Sequence, residues 1–321
     1  MDLADVDLQP ARIADAARTI DPVFLHTPQY VDEQLCAALG YDVMVKVETL
    51  NPIGSFKGRG ADLLVRRLLR DGAQGRTLVC ETSGNFGQAV AYAGRAHGAS
   101  VHVFVSSEVN PAKQARMESL GAAVTSVPGG GAEVERALAD HMAAHPDDLL
   151  ISGAEPEVAE GAGTIAIELL DAADVDTVVV PFGSGSLIAG IARWVKEKAP
   201  ATRVIGVCAE GSPAMAESWR AGRPIAADAR TIAEGIATWT PLPELVERTH
   251  VLVDDVVLVS DADILAAAGI AARTLGLLLE PAAAAGLAAI AGGLPGRRFA
   301  TILTGVGPRP EVAREIMALA G

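Results

Sequence analysis

Residues 51–61 read NPIGSFKGRGA, and this stretch decides how the rest of the chain is interpreted. The segment before it, VMVKV at 43–47, alternates as a β-strand does, and the Asn-Pro-Ile-Gly run ends that strand. Ser55 is predicted to be the N-cap of the next helix, since the apolar residues of 61–69 recur at helical spacing. Lys57 is therefore predicted in the first turn of a helix, directly after a rigid loop.

Lys57 has two interpretations at this point. Gly58 and Gly60 leave space beside it, and a lysine that is desolvated near the positive end of a helix has a lowered pKa. A lowered pKa is what an amine needs in order to attack an aldehyde. The alternative is that Lys57 and Arg59 are solvated cations of the first helical turn.

Two further turns between a strand and a helix carry small and hydroxyl-bearing residues. The first is TSGNF at 82–86, whose backbone amides and hydroxyls suit a carboxylate. The second is PFGSGSL at 181–187, whose small residues let amides close on a phosphate ahead of a helix N-terminus. Each turn also has an explanation without a ligand, the first as a helix cap and the second as a tight turn.

The segment 51–61 resembles the cofactor-lysine motif of the threonine and serine dehydratase family, which includes the serine racemases. These are pyridoxal-phosphate enzymes of fold type II, with a tryptophan-synthase-β-like α/β fold. The turns at 82–86 and 181–187, AEGIA at 233–237 and ILTG at 302–305 follow in the family's order. The resemblance implies that Lys57 carries pyridoxal 5'-phosphate as a Schiff base.

The resemblance also assigns roles to other residues. It implies that Asn85 contacts the phenolic oxygen of the cofactor, and that Ser83 is a second acid/base facing the substrate α-carbon opposite the lysine. It places Gly235 beside the cofactor ring and the Thr304 hydroxyl against the pyridine nitrogen, although Thr304 taken alone is an ordinary strand-end threonine. Phe56 is predicted along the ring, with a core position as its alternative. The phosphate-binding residues are predicted to be Gly183, Ser184, Gly185, Ser186 and Leu187, and the substrate-binding residues Thr82, Ser83, Gly84, Asn85 and Phe86.

Several positions depart from the family pattern. Phe86 stands where dehydratases commonly have a histidine, and Ser184 and Ser186 replace two glycines, which restricts the φ angles of the loop. Ala216 stands where metal-binding members have an aspartate, which leaves Glu210 as a lone carboxylate and a poor site for a hard cation. The six histidines have no ligand spacing, so no metal is predicted.

Short β-branched runs alternate with longer helical patterns, which predicts a parallel α/β fold. The runs are 101–105, 177–180, 204–207 and 301–303. The resemblance implies two open, twisted, mostly parallel sheets in two domains: a large cofactor-binding domain at 1–75 and 151–321, and a small substrate-carboxylate domain at 76–150. It also implies closure of the small domain over the substrate and a homodimer.

Composition limits the partners and the location. The 321 residues carry a net charge of −14, so the field of the protein repels nucleic acid. The N-terminal residues lack the pattern of a signal peptide, and the apolar stretch at 264–287 is interrupted by Arg273 and Glu280, so no membrane span is expected. The three cysteines form no even framework, and the chain is predicted to be cytoplasmic with Cys80 and Cys208 as core thiols.

The predicted reaction is β-elimination from a small L-hydroxy-amino acid such as threonine or serine, which yields a 2-oxo acid and ammonia. A neutral hydroxyl at Thr304 stabilises a pyridinium less well than an aspartate, which favours elimination over prolonged carbanion chemistry. Racemisation through Ser83, β-replacement, a non-catalytic cofactor-binding homologue and a nucleotide-binding α/β protein are the alternatives. Glu280-Pro281 resembles a family helix start, and Glu280 is assigned no chemical role because a carboxylate at a helix N-terminus is a sufficient explanation.

Overall fold

The computed structural model describes residues 3–82 and 84–321, which form ten β-strands and thirteen α-helices. The strands are β1 (Gln29–Val31), β2 (Asp42–Val47), β3 (Thr77–Glu81), β4 (Ser100–Ser106), β5 (Ala123–Val127), β6 (Leu149–Leu150), β7 (Thr177–Pro181), β8 (Arg203–Ala209), β9 (Asp255–Val259) and β10 (Arg298–Leu303). The helices are α1 (Pro10–Thr19), α2 (Glu33–Leu39), α3 (Lys57–Arg70), α4 (Asn85–His97), α5 (Pro111–Ser119), α6 (Gly131–Ala144), α7 (Pro156–Ala172), α8 (Ser186–Lys198), α9 (Ala214–Ala221), α10 (Pro243–Leu252), α11 (Asp261–Leu275), α12 (Pro281–Ala291) and α13 (Pro310–Ala320).

The larger sheet has six strands in the order β1-β2-β10-β7-β8-β9. Neighbouring strands of this sheet run parallel, except that β1 pairs antiparallel with β2. The strand β7 shows why the sheet is buried on both faces: Val178 and Val180 pack into one hydrophobic core, and Val179 packs into another on the opposite face. Near-continuous β-branched runs are typical of such doubly covered parallel strands, as the sequence predicted.

The smaller sheet has four parallel strands in the order β5-β4-β3-β6, which all lie between Thr77 and Leu150. Two mostly parallel sheets with helices packed around them confirm the predicted fold class. The helix α3 packs against both α4 and α7, and Leu64 of α3 shares a core with Ala89 of α4. That core contains residues from both sides of the predicted boundary between residues 75 and 76, so it does not divide there. The domain boundaries stay a prediction.

The predicted N-cap of α3 is wrong. The helix begins at Lys57 with Phe56 as its N-cap residue, and no side chain caps it. Ser55 lies in extended backbone that bridges to Gly305, and its buried hydroxyl oxygen has no partner in the described part of the chain. The Phe56 amide donates to the Thr304 carbonyl at 3.1 Å. The backbone before the helix is therefore held by the segment after β10 rather than by a capping side chain.

Arg59 is fully buried, so its interpretation as a solvated cation is wrong. Its guanidinium donates to both Glu48 oxygens, at 2.9 and 2.7 Å, and to Glu168 Oε1 at 2.6 Å. The second Glu168 oxygen lies 2.5 Å from the ammonium nitrogen of Lys46, which is also fully buried. Two cations and two carboxylates thus form a buried ion cluster, in which Arg59 joins α3 to β2 and α7.

Within the described residues, no helix has the length and apolar character needed to cross a membrane. Cys80 and Cys208 are buried, as predicted, and burial raises the pKa of each thiol to about 12. A thiol with so high a pKa is almost entirely protonated near neutral pH and is a poor nucleophile. Both residues therefore serve as core packing.

Candidate active site

The carboxyl ends of strands from both sheets face one cavity of about 350 Å³. Lys57 follows β2, Thr82 follows β3 and Thr304 follows β10, so the three residues are brought together although they are far apart in sequence. In parallel α/β proteins such a crevice at the strand ends is the usual place for a ligand. Among the residues predicted for the site, those that line this cavity are Phe56, Lys57, Thr82, Asn85, Phe86, Ser184, Ser186, Gly235 and Thr304.

The Lys57 amine lies near two aromatic rings. Its nitrogen is 4.8 Å from the centroid of the Phe56 ring and 5.9 Å from that of Phe86. Among the described residues it has no hydrogen-bond or ion-pair partner. Burial lowers the pKa of Lys57 to about 8, Glu280 opposes this shift, and the nearby Lys113 adds to it. A substantial neutral fraction near physiological pH suits an amine that must attack an aldehyde or accept a proton.

The loop at 183–187 lies beside Lys57, at the N-terminus of α8. Gly185 precedes the helix with a φ of 116°, a conformation that residues with a side chain rarely adopt. The Ser186 hydroxyl donates to the Gly153 carbonyl at 2.8 Å, whereas the Ser184 hydroxyl has no partner among the described residues. Backbone amides at a helix start therefore remain available for an anion next to the lysine.

Two observations test whether pyridoxal phosphate fits these residues. Backbone closes tightly around Gly183, where an added Cβ would lie 2.9 Å from Ile236 Cα and 3.0 Å from the Gly235 carbonyl oxygen. Thr304 is buried, and within the described chain its hydroxyl makes no hydrogen bond. The recess of backbone groups around Gly183 matches the phosphate. The Thr304 hydroxyl, which has no hydrogen-bond partner among the described residues, matches the pyridine nitrogen. The residues present therefore fit the cofactor.

The Gly183→Ala variant is expected to weaken cofactor binding, because a methyl group at this position would push the loop against the backbone at 235–236. Overpacking of this kind costs about 1–3 kcal/mol, which corresponds to a rise in Kd of roughly fivefold to 150-fold. A fluorescence titration of the apoprotein with pyridoxal phosphate measures this. Gly131→Ala, at a helix start with open space around it, is the control and should leave Kd unchanged. Equal affinities for all three proteins would contradict the assignment of the loop.

Three residues of the turn at 82–86 line the same cavity, namely Thr82, Asn85 and Phe86. Thr82 Oγ1 accepts a hydrogen bond from the Gly84 amide at 3.0 Å, and Asn85 is the first residue of α4. The side chain of Phe86 is largely buried against the small-sheet core. Ser83 lies outside the described residues, so its predicted role as an acid/base stays a prediction. The predicted binding of a substrate carboxylate by this turn stays a prediction.

Charged residues that the sequence did not assign to the site also line the cavity. They are Glu81, Lys113, Glu135, Glu234 and Glu280. Burial raises the pKa of Glu81, and the neighbouring Glu135 raises it further. The sequence could have indicated Glu81, because this residue ends β3 directly before the turn. Lys113 carries no local signal that distinguishes it from an exposed helical lysine.

Residues 3–82 and 84–321 contain no group of three or more histidine, cysteine or acidic residues arranged to hold a metal ion.

Comparison with known proteins agrees with this geometry. A family model described as "Pyridoxal-phosphate dependent enzyme" matches residues 22–305. The chain is 30% identical to the L-threonine ammonia-lyase of Thermotoga maritima over 303 residues, which cover 91% of this chain and 74% of that protein. It is also 30% identical to rat serine racemase over 331 aligned positions, with 99% and 92% covered.

A solved structure of maize serine racemase superposes with a TM-score of 0.88 at 25% identity, covering 97% of each chain. Family, relatives and fold therefore agree with the motifs around Lys57. The cofactor predicted from the sequence, pyridoxal phosphate, is confirmed by these relationships. The chain belongs to the family of pyridoxal-phosphate-dependent enzymes, in the fold type II group that contains threonine dehydratases and serine racemases.

Proposed function

We propose that the protein is an ammonia-lyase that eliminates the β-hydroxyl of a small L-hydroxy-amino acid such as L-threonine or L-serine, giving a 2-oxo acid and ammonia. The observation that carries the proposal is the Lys57 amine, which has no acidic partner among the described residues and faces the same cavity as Thr82 and Asn85. The 30% identity to an L-threonine ammonia-lyase supports the reaction class.

When bound, pyridoxal phosphate supplies an electron sink for negative charge at the substrate α-carbon. Lys57 accepts the α-proton at Nζ, for which its pKa of about 8 is suited. The backbone amides of the turn at 82–86 hold the substrate carboxylate and orient the α-carbon toward that nitrogen. The Ser184 hydroxyl, which has no hydrogen-bond partner among the described residues, can donate a hydrogen bond to the departing oxygen.

The cavity favours a substrate with a neutral side chain. Four carboxylates and two ammonium groups line it, and neither Glu81 nor Glu135 has an ion-pair partner in the described part of the chain. A second carboxylate on the substrate would meet this negative field without a free cation to balance it. We therefore expect threonine and serine to be better substrates than 3-hydroxyaspartate.

Racemisation is the second candidate, because the chain is as similar to serine racemase as to the ammonia-lyase. It requires a group that returns the proton to the opposite face of the α-carbon, and Ser83 is the residue predicted for it. Partition between the two reactions depends on whether the β-hydroxyl departs before this second proton arrives. β-Replacement has no specific support in the cavity.

Incubation of the holoenzyme with L-threonine, L-serine and L-threo-3-hydroxyaspartate tests the proposal. Oxo acid and ammonia are expected in equal amounts from threonine or serine, with a clearly lower kcat/KM for 3-hydroxyaspartate and little D-isomer. Chiral chromatography and an oxo-acid assay follow both products in one sample. Dominant D-isomer would assign the protein as a racemase, and no product from a cofactor-loaded protein would contradict a catalytic role on these substrates.

The predicted organisation is retained as part of the proposal. A small domain at 76–150 that closes over the substrate is supported by Thr82, Asn85 and Phe86, which line the same cavity as Lys57. The cytoplasmic location is supported by three free cysteines, and a homodimer is expected from the family resemblance.

A further inference from the structure

Glu280 does not act as the helix-capping carboxylate that the sequence suggests. It is the N-cap residue of α12 and is buried, yet its side chain accepts no hydrogen bond from the helix amides. Its two oxygens lie instead beside side chains that line the cavity. Oε2 accepts from Asn85 Nδ2 at 2.8 Å, and Oε1 lies 2.6 Å from Lys113 Nζ.

Asn85 is thereby held at both ends of its amide. Gln88 Nε2 donates to Asn85 Oδ1 at 3.1 Å, while Asn85 Nδ2 donates to Glu280. Gln88 is buried, so water does not readily replace its amide as the donor to Asn85. With the oxygen and one hydrogen of the Asn85 amide engaged, the amide has one orientation and its second N–H is left for an acceptor in the cavity.

Lys113 completes the arrangement from the small-sheet side. Its aliphatic part lies so closely on Gly84 that an added Cβ would overlap it, and its ammonium forms the ion pair with Glu280. The pair is largely buried, with side-chain exposures of 13% and 8%, so each charge depends on the other. Two of the five lysines of the chain thus line one cavity, and of the two only Lys113 has an acidic partner within residues 3–82 and 84–321.

We propose that Glu280 is a positioning residue of this enzyme: its carboxylate holds the Asn85 amide with an N–H directed at the cofactor, and Lys113 is its counter-ion. The proposal rests on the role of Asn85 in the proposed function. It assigns to Glu280 and Lys113 functions beyond helix capping and surface charge. It also means that a contact between α12 and α4, which carry the two residues, prepares the cofactor site before substrate arrives.

The two charges act on Lys57 with opposite signs. Glu280 raises the pKa of the Lys57 amine and Lys113 lowers it, while burial is the larger cause of the overall decrease. Removing the Glu280 charge therefore increases the neutral fraction of Lys57 near neutral pH, and removing the Lys113 charge decreases it. If the ion pair served only to stabilise the fold, loss of either partner would be expected to change cofactor attachment in the same direction.

A double-mutant cycle on cofactor affinity tests the positioning role. Glu280→Met keeps the length of the side chain but cannot accept from Asn85, and it is expected to raise the Kd for pyridoxal phosphate about tenfold, the equivalent of one charge-assisted hydrogen bond. In an Asn85→Ala background the same substitution should change Kd by less than about twofold, because the residue it positions is absent. Glu244→Gln, which alters an exposed first-turn carboxylate, is the control. Full additivity of the two substitutions, or an unchanged Kd in Glu280→Met, would overturn the proposal.

The pH dependence of cofactor attachment tests the charges separately. The rate at which the visible absorbance appears after pyridoxal phosphate is added follows the neutral fraction of Lys57. Relative to the wild type, the midpoint should move to lower pH in Glu280→Gln and to higher pH in Lys113→Gln, so that the rates at pH 7 change in opposite directions. Shifts in the same direction, or none in folded variants, would refute the inference. If the wild type itself develops no visible absorbance, the role of Lys57 fails, which is a separate result.

Discussion

Replacement of Lys57 with alanine is expected to remove both the visible absorbance of the cofactor-bound protein and its turnover. Lys57 is the lysine of the cavity without an acidic partner among the described residues, and its lowered pKa supplies the neutral amine that attachment to an aldehyde requires. It is also the proposed acceptor of the α-proton, so kcat should fall by about a thousandfold or more. An absorbance spectrum before and after removal of free cofactor, together with an oxo-acid assay, measures both effects.

Lys198→Ala is the matched control for this substitution. Lys198 ends α8, is exposed and lies over the Trp194 ring on the surface. Its loss should leave the spectrum and kcat unchanged. A Lys57→Ala protein that retains the absorbance after gel filtration would show that another amine carries the cofactor, and Lys113 would then be the residue to examine, because it lines the same cavity.

Arg59→Met is expected to cause the largest loss of stability. The substitution removes the guanidinium that faces Glu48 and Glu168 in the interior and leaves buried negative charge with only Lys46 to balance it. Breaking a buried ion pair by removal of one partner costs about 3–5 kcal/mol. Chemical denaturation followed by circular dichroism gives the free energy of unfolding. Arg18→Met, which removes an exposed pair with Asp15, should cost less than about 1 kcal/mol.

The same cluster predicts how the stability of the wild type depends on pH. Burial alone raises the pKa of Glu168, but the hydrogen bonds and charges of Arg59 and Lys46 outweigh it and lower the pKa from 4.5 to about 2. A carboxylate whose pKa is lower in the folded state stabilises the protein above its unfolded pKa. This contribution, about 3 kcal/mol by linkage, is lost as the pH falls from 4.5 toward 2. In Arg59→Met the loss over this interval should be much smaller, and an equal loss in both proteins would contradict the assignment.

The sequence predicted the parts of the molecule that depend on local pattern. Strands such as 177–180 were found because a doubly buried parallel strand requires an unbroken β-branched run. The loop at 183–187 and Thr304 were found because each sits at a strand end in a recognisable motif. The structure places them in one recess with Lys57.

The predictions that failed, or were missing, depend on partners distant in sequence. Ser55 resembles a helix cap, yet Gly305 pairs with its backbone. Arg59 looks like a first-turn cation, and its burial is explained by Glu168, which lies on another helix. Glu280 looks like a helix-start carboxylate, and its contact with Asn85 joins the starts of two helices that are far apart in sequence. No local pattern encodes such pairings, because each half of a pair is unremarkable alone.

The order of strands in the six-stranded sheet bears on how the protein is made. β10 lies between β2 and β7, although the ribosome synthesises both of those strands earlier. Until β10 emerges, β2 and β7 each present an unpaired edge, and unpaired edges are the parts of a nascent chain most prone to wrong pairing. Thr304 is also missing from beside Lys57 during this time. The proposed cofactor site is therefore expected to be complete only in chains synthesised past Thr304, and translation arrested before Arg298 is expected to leave an aggregation-prone fragment that lacks part of this site.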